Sequence, residues 1–173
     1  MGLVLVVLLA IVLVTAIYTD TRSSRIPNWL TFPAMGVALL VHTWLGGLPG
    51  ALFSLGGFGA GLGLFLLIYL SGSIGAGDVK LMAAVGALIG PYGALLSGLL
   101  AIMVGGVYAL GAMCYHWGFV TTGQKLASAA HGGLFKGGKV WAQQLHLPFR
   151  LRYGLAVAGG TLLFQLGLHP FGG

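Results

Sequence analysis

The chain has no glutamate at all and only two aspartates, Asp20 and Asp78, in 173 residues. Charged residues of either sign make up 6%, where a soluble domain carries roughly a quarter. With 58% of residues hydrophobic, that scarcity excludes an ordinary water-facing surface and leaves an integral membrane protein. Cysteine is nearly missing too. Cys114 stands alone, which excludes an internal disulfide framework and a cysteine-built zinc site and fits a small core residue. The five histidines are scattered over both sides without ligand spacing, so neither a metal nor another cofactor is expected.

What is present begins with glycine, 32 residues of it. It lacks the three-residue period of collagen and sits inside apolar stretches, as in Gly57-x-x-x-Gly61, Gly59-x-x-x-Gly63 and Gly86-x-x-x-Gly90. Small residues at that spacing let membrane helices approach closely. The net charge of +6 does not point to nucleic acid, because the basic residues punctuate apolar runs instead of clustering on a solvated face. Membrane lipid headgroups are the expected counter-charge.

The charges divide the chain. They fall into three groups: Asp20, Arg22 and Arg25; Asp78 and Lys80; and Lys125, Lys136, Lys139, Arg150 and Arg152. A membrane span needs about 20 mostly apolar residues, so the outer charge-free stretches hold one span each and the two middle ones hold two. Breaks in the middle stretches fall at Gly46, Gly47, Pro49 and Gly50, and at Gly90, Pro91, Tyr92 and Gly93. The expectation is an all-α polytopic membrane protein, a single domain over 1–173. Its six transmembrane helices fall near 3–19, 29–45, 51–70, 79–89, 94–115 and 153–169, with a loop over 116–152. The fourth is short, so its start is expected in a protein-lined recess. An even number of crossings separates the charge groups, which puts all eight Lys and Arg on one side. That side is the cytoplasm by the positive-inside rule, with both termini outside. The first span, with its basic residues following it, is read as a retained helix and not a cleaved signal. The loop is basic and topogenic, or in part a surface helix in the headgroups.

Asp20 closes the first span and Asp78 opens the fourth, so topology sets both at similar depth on the cytoplasmic side. An ionisable group near hydrocarbon is costly and marks a functional site by default. Two carboxylates close together share a proton and titrate as a unit. That is the electrostatic requirement of aspartic proteolysis, in which one carboxylate draws a proton from water and its protonated partner polarises the scissile carbonyl. Plainer roles are also open: Asp78 is placed to cap a helix start, and Asp20 to pair with Arg22 or Arg25. A small proton-coupled carrier would need acids along a midplane path, and a non-catalytic scaffold subunit would need neither aspartate. Gly75-Ala76-Gly77-Asp78-Val79-Lys80-Leu81 adds glycines that let backbone approach a bound extended peptide.

These residues resemble the type IV prepilin peptidase family of membrane aspartic proteases. Asp20-Thr21-Arg22-x-x-Arg25-Ile26-Pro27-Asn28 is similar to the family's D-x-R-x-x-x-I-P-N motif, and Gly75 to Leu81 to its G-x-G-D-x-K-L motif. Arg152-Tyr153-Gly154-Leu155-Ala156-Val157-Ala158 is similar to its P-Y-G-x-A-I-A signature, with Arg152 where proline is common. The resemblance implies removal of the short basic leader from prepilin or pseudopilin precursors at the cytoplasmic face of the inner membrane. It implies Asp20 and Asp78 as the catalytic pair, Gly75 and Gly77 shaping the peptide groove, Lys80 as a neighbouring motif residue at that groove, and Pro27 and Asn28 starting the second helix. The chain most resembles the short branch serving Flp-type tight-adherence pili. It has neither the insertion nor the four cysteines of the longer members that also N-methylate the product, so proteolysis without methylation is expected.

Overall fold

The structure is a computed structural model that describes residues 3–23, 26–70, 74–117 and 153–167. Its elements are α1 (Leu3–Ser23), α2 (Asn28–Leu70), α3 (Ala76–Trp117) and α4 (Tyr153–Gln165). Three helices are long and apolar enough to cross a membrane, among the described residues: α1, α2 and, within α3, Ala76–Ala109. α4 has 13 residues. At 1.5 Å per residue it reaches about 20 Å, less than the roughly 30 Å of a hydrocarbon core. It ends at Gln165, short of 169, in a turn where Gly167 takes φ 72° and donates to the Phe164 carbonyl at 3.1 Å.

α2 and α3 are each two helices meeting at a glycine with non-helical backbone, Gly47 (φ 59°, ψ −142°) and Gly90 (φ 81°, ψ 176°). Both lie inside the turn-residue clusters, and positive φ is where glycine alone is unstrained. The helices overrun the apolar stretches by about a turn at the charged ends, since charged residues are compatible with helix even where they are not compatible with lipid. α1 runs on to Ser23, α3 begins at Ala76, and its far end reaches Trp117, two residues into the expected loop. The rest of that loop, with Lys125, Lys136, Lys139, Arg150 and Arg152, lies outside the described residues, as does Arg25.

The first half of α3 is the centre of the molecule. Every residue from Leu81 to Gly90 is buried, with α2 on one side and α4 on another. The contacts are made backbone to backbone. A Cβ on Gly57 would collide with the Gly86 carbonyl, one on Gly61 with that of Met82, and one on Gly160 with the main chain of Ser97 and Ala101. Close approach of this kind replaces hydrophobic burial as the packing force between helices in lipid. Gly59 and Gly63 meet nothing within 4 Å, so of the two interleaved glycine pairs on α2 only Gly57 and Gly61 serve this interface.

The break at Gly90 leaves backbone groups to be satisfied. Pro91 has no N–H to give the Ala87 carbonyl. Ser54 Oγ of α2 donates to that oxygen at 3.0 Å, and His42 Nε2 lies 3.1 Å from the Leu88 carbonyl. The Phe53 ring fills the space where a Gly90 side chain would stand and packs 5.2 Å from the His42 ring.

Candidate active site

The opposite end of α3 carries Asp78. Gly75 precedes the helix, and its carbonyl accepts from the Asp78 and Val79 amides at 3.1 and 3.4 Å. Asp78, in the first turn, reaches back so that the Gly75 N–H donates to its Oδ2 at 3.1 Å. This is the returning half of a capping box. The capping role open to Asp78 from sequence is therefore observed, and it engages Oδ2. Gly75 also leaves room for the carboxylate, since a Cβ there would stand 3.3 Å from Oδ2.

Asp20 lies in the last turn of α1, only 6% exposed. Its Oδ2 accepts the main-chain N–H of Gly154 at 3.0 Å, across 134 residues of sequence. Gly154 is the second residue of α4, where helix geometry leaves N–H groups without an intrahelical partner. Asp20 thus caps the start of α4 as Asp78 caps the start of α3. Arg22, an expected partner for Asp20, turns back along its own helix. Its Nη1 donates to the Tyr18 hydroxyl at 2.7 Å and its guanidinium lies 6.0 Å from the Tyr18 ring centre.

The end of α1 thus meets the start of α4. Asp78 is buried as well, and interacts electrostatically with Asp20 and with the Tyr153 phenol. Tyr153 packs over Gly105 of α3, where a Cβ would come 2.8 Å from its Cε1. The remaining buried polar side chains are Thr31, Ser54, Ser97 and Thr161, so among the described residues the two aspartates are the buried ionisable groups. Among those residues no cluster of three or more His, Cys, Asp or Glu is placed to hold a metal ion.

The other motif residues hold the frame. Gly77 faces Ile26, whose Cβ would lie 3.2 Å from a side chain at that position, so the α1–α2 connection lies against the first turn of α3. Lys80 Nζ donates to Asn28 Oδ1 at 2.9 Å and stands 5.5 Å from the Phe32 ring centre, tying the start of α2 to the start of α3. Asn28 does open α2, as its motif suggests, and its carboxamide oxygen serves Lys80. The residue with a direct bond to the site to which the sequence reading gave no role, though it lies in the third motif, is Gly154. The signal for it was the Tyr-Gly pair opening the last apolar stretch, next to basic residues and hence at the depth of the aspartates.

The model of the type IV leader peptidase family matches residues 7–110, more than half of the chain and inclusive of both aspartates. The chain belongs to the type IV leader peptidase family. A leader peptidase of this kind is a protease, and the three long apolar helices make it a membrane protein. Within this leader peptidase the matched residues take in α1, α2 and most of α3, whereas α4 with Gly154 lies beyond them. No curated protein and no solved structure matches the chain.

Proposed function

We propose that the protein is a membrane aspartic endopeptidase that removes the short basic leader from type IV prepilins of the Flp type, with Asp20 and Asp78 as its catalytic pair. The observation that carries this reading is that the chain's only two side-chain carboxylates are both buried, at the end of α1 and the start of α3, each accepting a main-chain N–H at a helix start.

A pair sharing one proton holds one ionised and one protonated carboxyl. The ionised member takes a proton from water while the water oxygen bonds to the scissile carbonyl carbon and the protonated member gives its proton to the carbonyl oxygen. In the resulting gem-diol the C–N bond then breaks. The leaving nitrogen takes the proton the first carboxylate had gained, and a diol hydroxyl returns a proton to the second, restoring the pair. Charge on either aspartate is favoured by its helix N-terminus, and the glycines before Asp78 leave space for an extended substrate backbone. In this proposal Gly75 and Gly77 shape the groove, with Lys80 at its edge.

The proposed topology has six spans in the inner membrane, both termini outside and the site at the cytoplasmic face, where Arg22 and Lys80 also stand. A precursor whose apolar helix lies in the same bilayer presents its scissile bond at that depth, so proximity supplies much of the rate. Coexpression with a candidate prepilin tests the proposal. Asp20→Asn and Asp78→Asn should each abolish leader removal while the protein still accumulates in the membrane, and the wild-type product should carry an unmethylated new N-terminus by mass. Normal processing by either variant rejects the pair.

A further inference from the structure

We infer that Gly154 is a positioning residue for Asp20, and that the first turn of α4 is the third structural part of the active site. The inference rests on the aspartic-peptidase reading and gives a role to a residue of the third motif, beyond the 7–110 matched by the family model.

Two independent observations carry it. The Gly154 N–H, one of the orphan donors of a helix start, meets Asp20 Oδ2 at 3.0 Å. Gly154 also faces the carboxylate with no side chain between them: a Cβ there would stand 2.8 Å from Oδ2 and 3.1 Å from both Cγ and Cβ of Asp20. Leu5, Leu9, Val12, Leu13 and Ala16 bury α1 in the core, and that apolar packing places the helix without giving its last-turn carboxylate a direction. The direction of the Asp20 carboxylate is accordingly set from α4, which is itself locked to α3 through Gly160 and through Tyr153 over Gly105. Asp78 needs no such help, because its anchor is the adjacent Gly75. One aspartate is thus oriented locally and the other from the far end of the chain.

Gly154→Ala is the direct test, with Gly159→Ala as control on the same helix, where an added Cβ meets only Val104 Cγ1 at an ordinary 3.7 Å. The full chain in lipid nanodiscs is given a synthetic precursor with a basic leader ending in glycine and an apolar helix of about 20 residues. Gly154→Ala should lower kcat about 100-fold with KM within about threefold of wild type, as a displaced catalytic group does, and Gly159→Ala should match wild type. A wild-type kcat in Gly154→Ala, a loss confined to KM, or an equal loss in Gly159→Ala overturns the inference.

A spectroscopic arm separates this inference from the reading beneath it. In an Asp78→Asn background Asp20 is the one side-chain carboxylate in the chain, so carbon-13 labelling of aspartate isolates its infrared stretching bands. Those bands should move with Gly154→Ala and stay in place with Gly159→Ala, whether or not the protein cleaves the precursor. Unmoved bands overturn the contact. If Asp20→Asn still cleaves, the catalytic pair is wrong while the bands continue to decide the role of Gly154. Should Gly154→Ala fail to accumulate, the Gly154 amide resonance of the unaltered glycine decides: it should shift on Asp20→Asn, and a fixed resonance overturns the inference.

Discussion

A carboxylate that accepts a main-chain N–H through one oxygen takes a direction from the backbone itself. Both aspartates are held this way, by Gly75 and by Gly154. Main-chain donors add no side chain that would crowd a substrate. The cost is that the donor residues must stay small. At Gly75 an added Cβ would stand 3.3 Å from Asp78 Oδ2, a contact relieved by a few tenths of an ångström of carboxylate movement. Gly75→Ala should therefore fold and reach the membrane yet cleave about tenfold more slowly, a loss near 1.4 kcal/mol in the barrier. Initial rates on a precursor, set beside thermal unfolding in detergent, check this. An unchanged rate would mean that the position of Asp78 does not depend on the space beside it. That the two aspartates would be the ones to examine was legible in the sequence, because acids are so rare, and both are buried. The bond from Gly154 was not, since a motif marks the glycine but not which carboxylate, 134 residues away, its N–H meets.

At the scale of the helices, the break at Gly90 shows what a turn inside a membrane helix demands. Ser54 supplies the donor that Pro91 lacks, whereas Ser97 donates to the Gly93 carbonyl of its own helix at 2.6 Å. Removing the first hydroxyl strands a buried acceptor, while removing the second leaves ordinary helix. Ser54→Ala should cost about 1–3 kcal/mol. Ser97→Ala should cost less, since back-bonding of this kind contributes little to a helix. Thermal or chemical unfolding of the two variants side by side checks the order. Turn chemistry made both breaks readable, because Gly-Pro clusters are uncommon inside apolar helices. Element ends were read less well. Charge marks where lipid stops, but α1 continues through Asp20 and Arg22 to Ser23, because backbone hydrogen bonding is indifferent to the water boundary.

For the whole molecule, the arrangement of charge makes a prediction about sidedness. The turn at Gly47 and the end of α1 should face opposite sides of the membrane. With Cys114 first replaced by alanine, a cysteine at exposed Leu48 should react with an impermeant maleimide from outside intact cells. A cysteine at exposed Thr21 should react only after the inner membrane is opened. The reverse pattern would invert the topology and move the aspartates to the outer face. Membrane class was evident from composition, because too few charges exist to coat a soluble surface. The centre of the packing was not, since α2 and α3 are similarly apolar and only the placement of Gly57, Gly61 and Gly86 against backbone makes α3 the buried one.

The bond from Gly154 to Asp20 also has a consequence for biosynthesis. At bacterial translation speeds of about 5–20 residues per second, the 134 residues between them take roughly 7 to 27 s to polymerise. Asp78 follows Asp20 by 58 residues, so for the final 76 residues, roughly 4 to 15 s, both aspartates exist without the element that orients Asp20. On the inference that Gly154 positions Asp20, a nascent chain should not cleave until α4 is made, so the order of synthesis itself holds the peptidase inactive while the earlier helices insert.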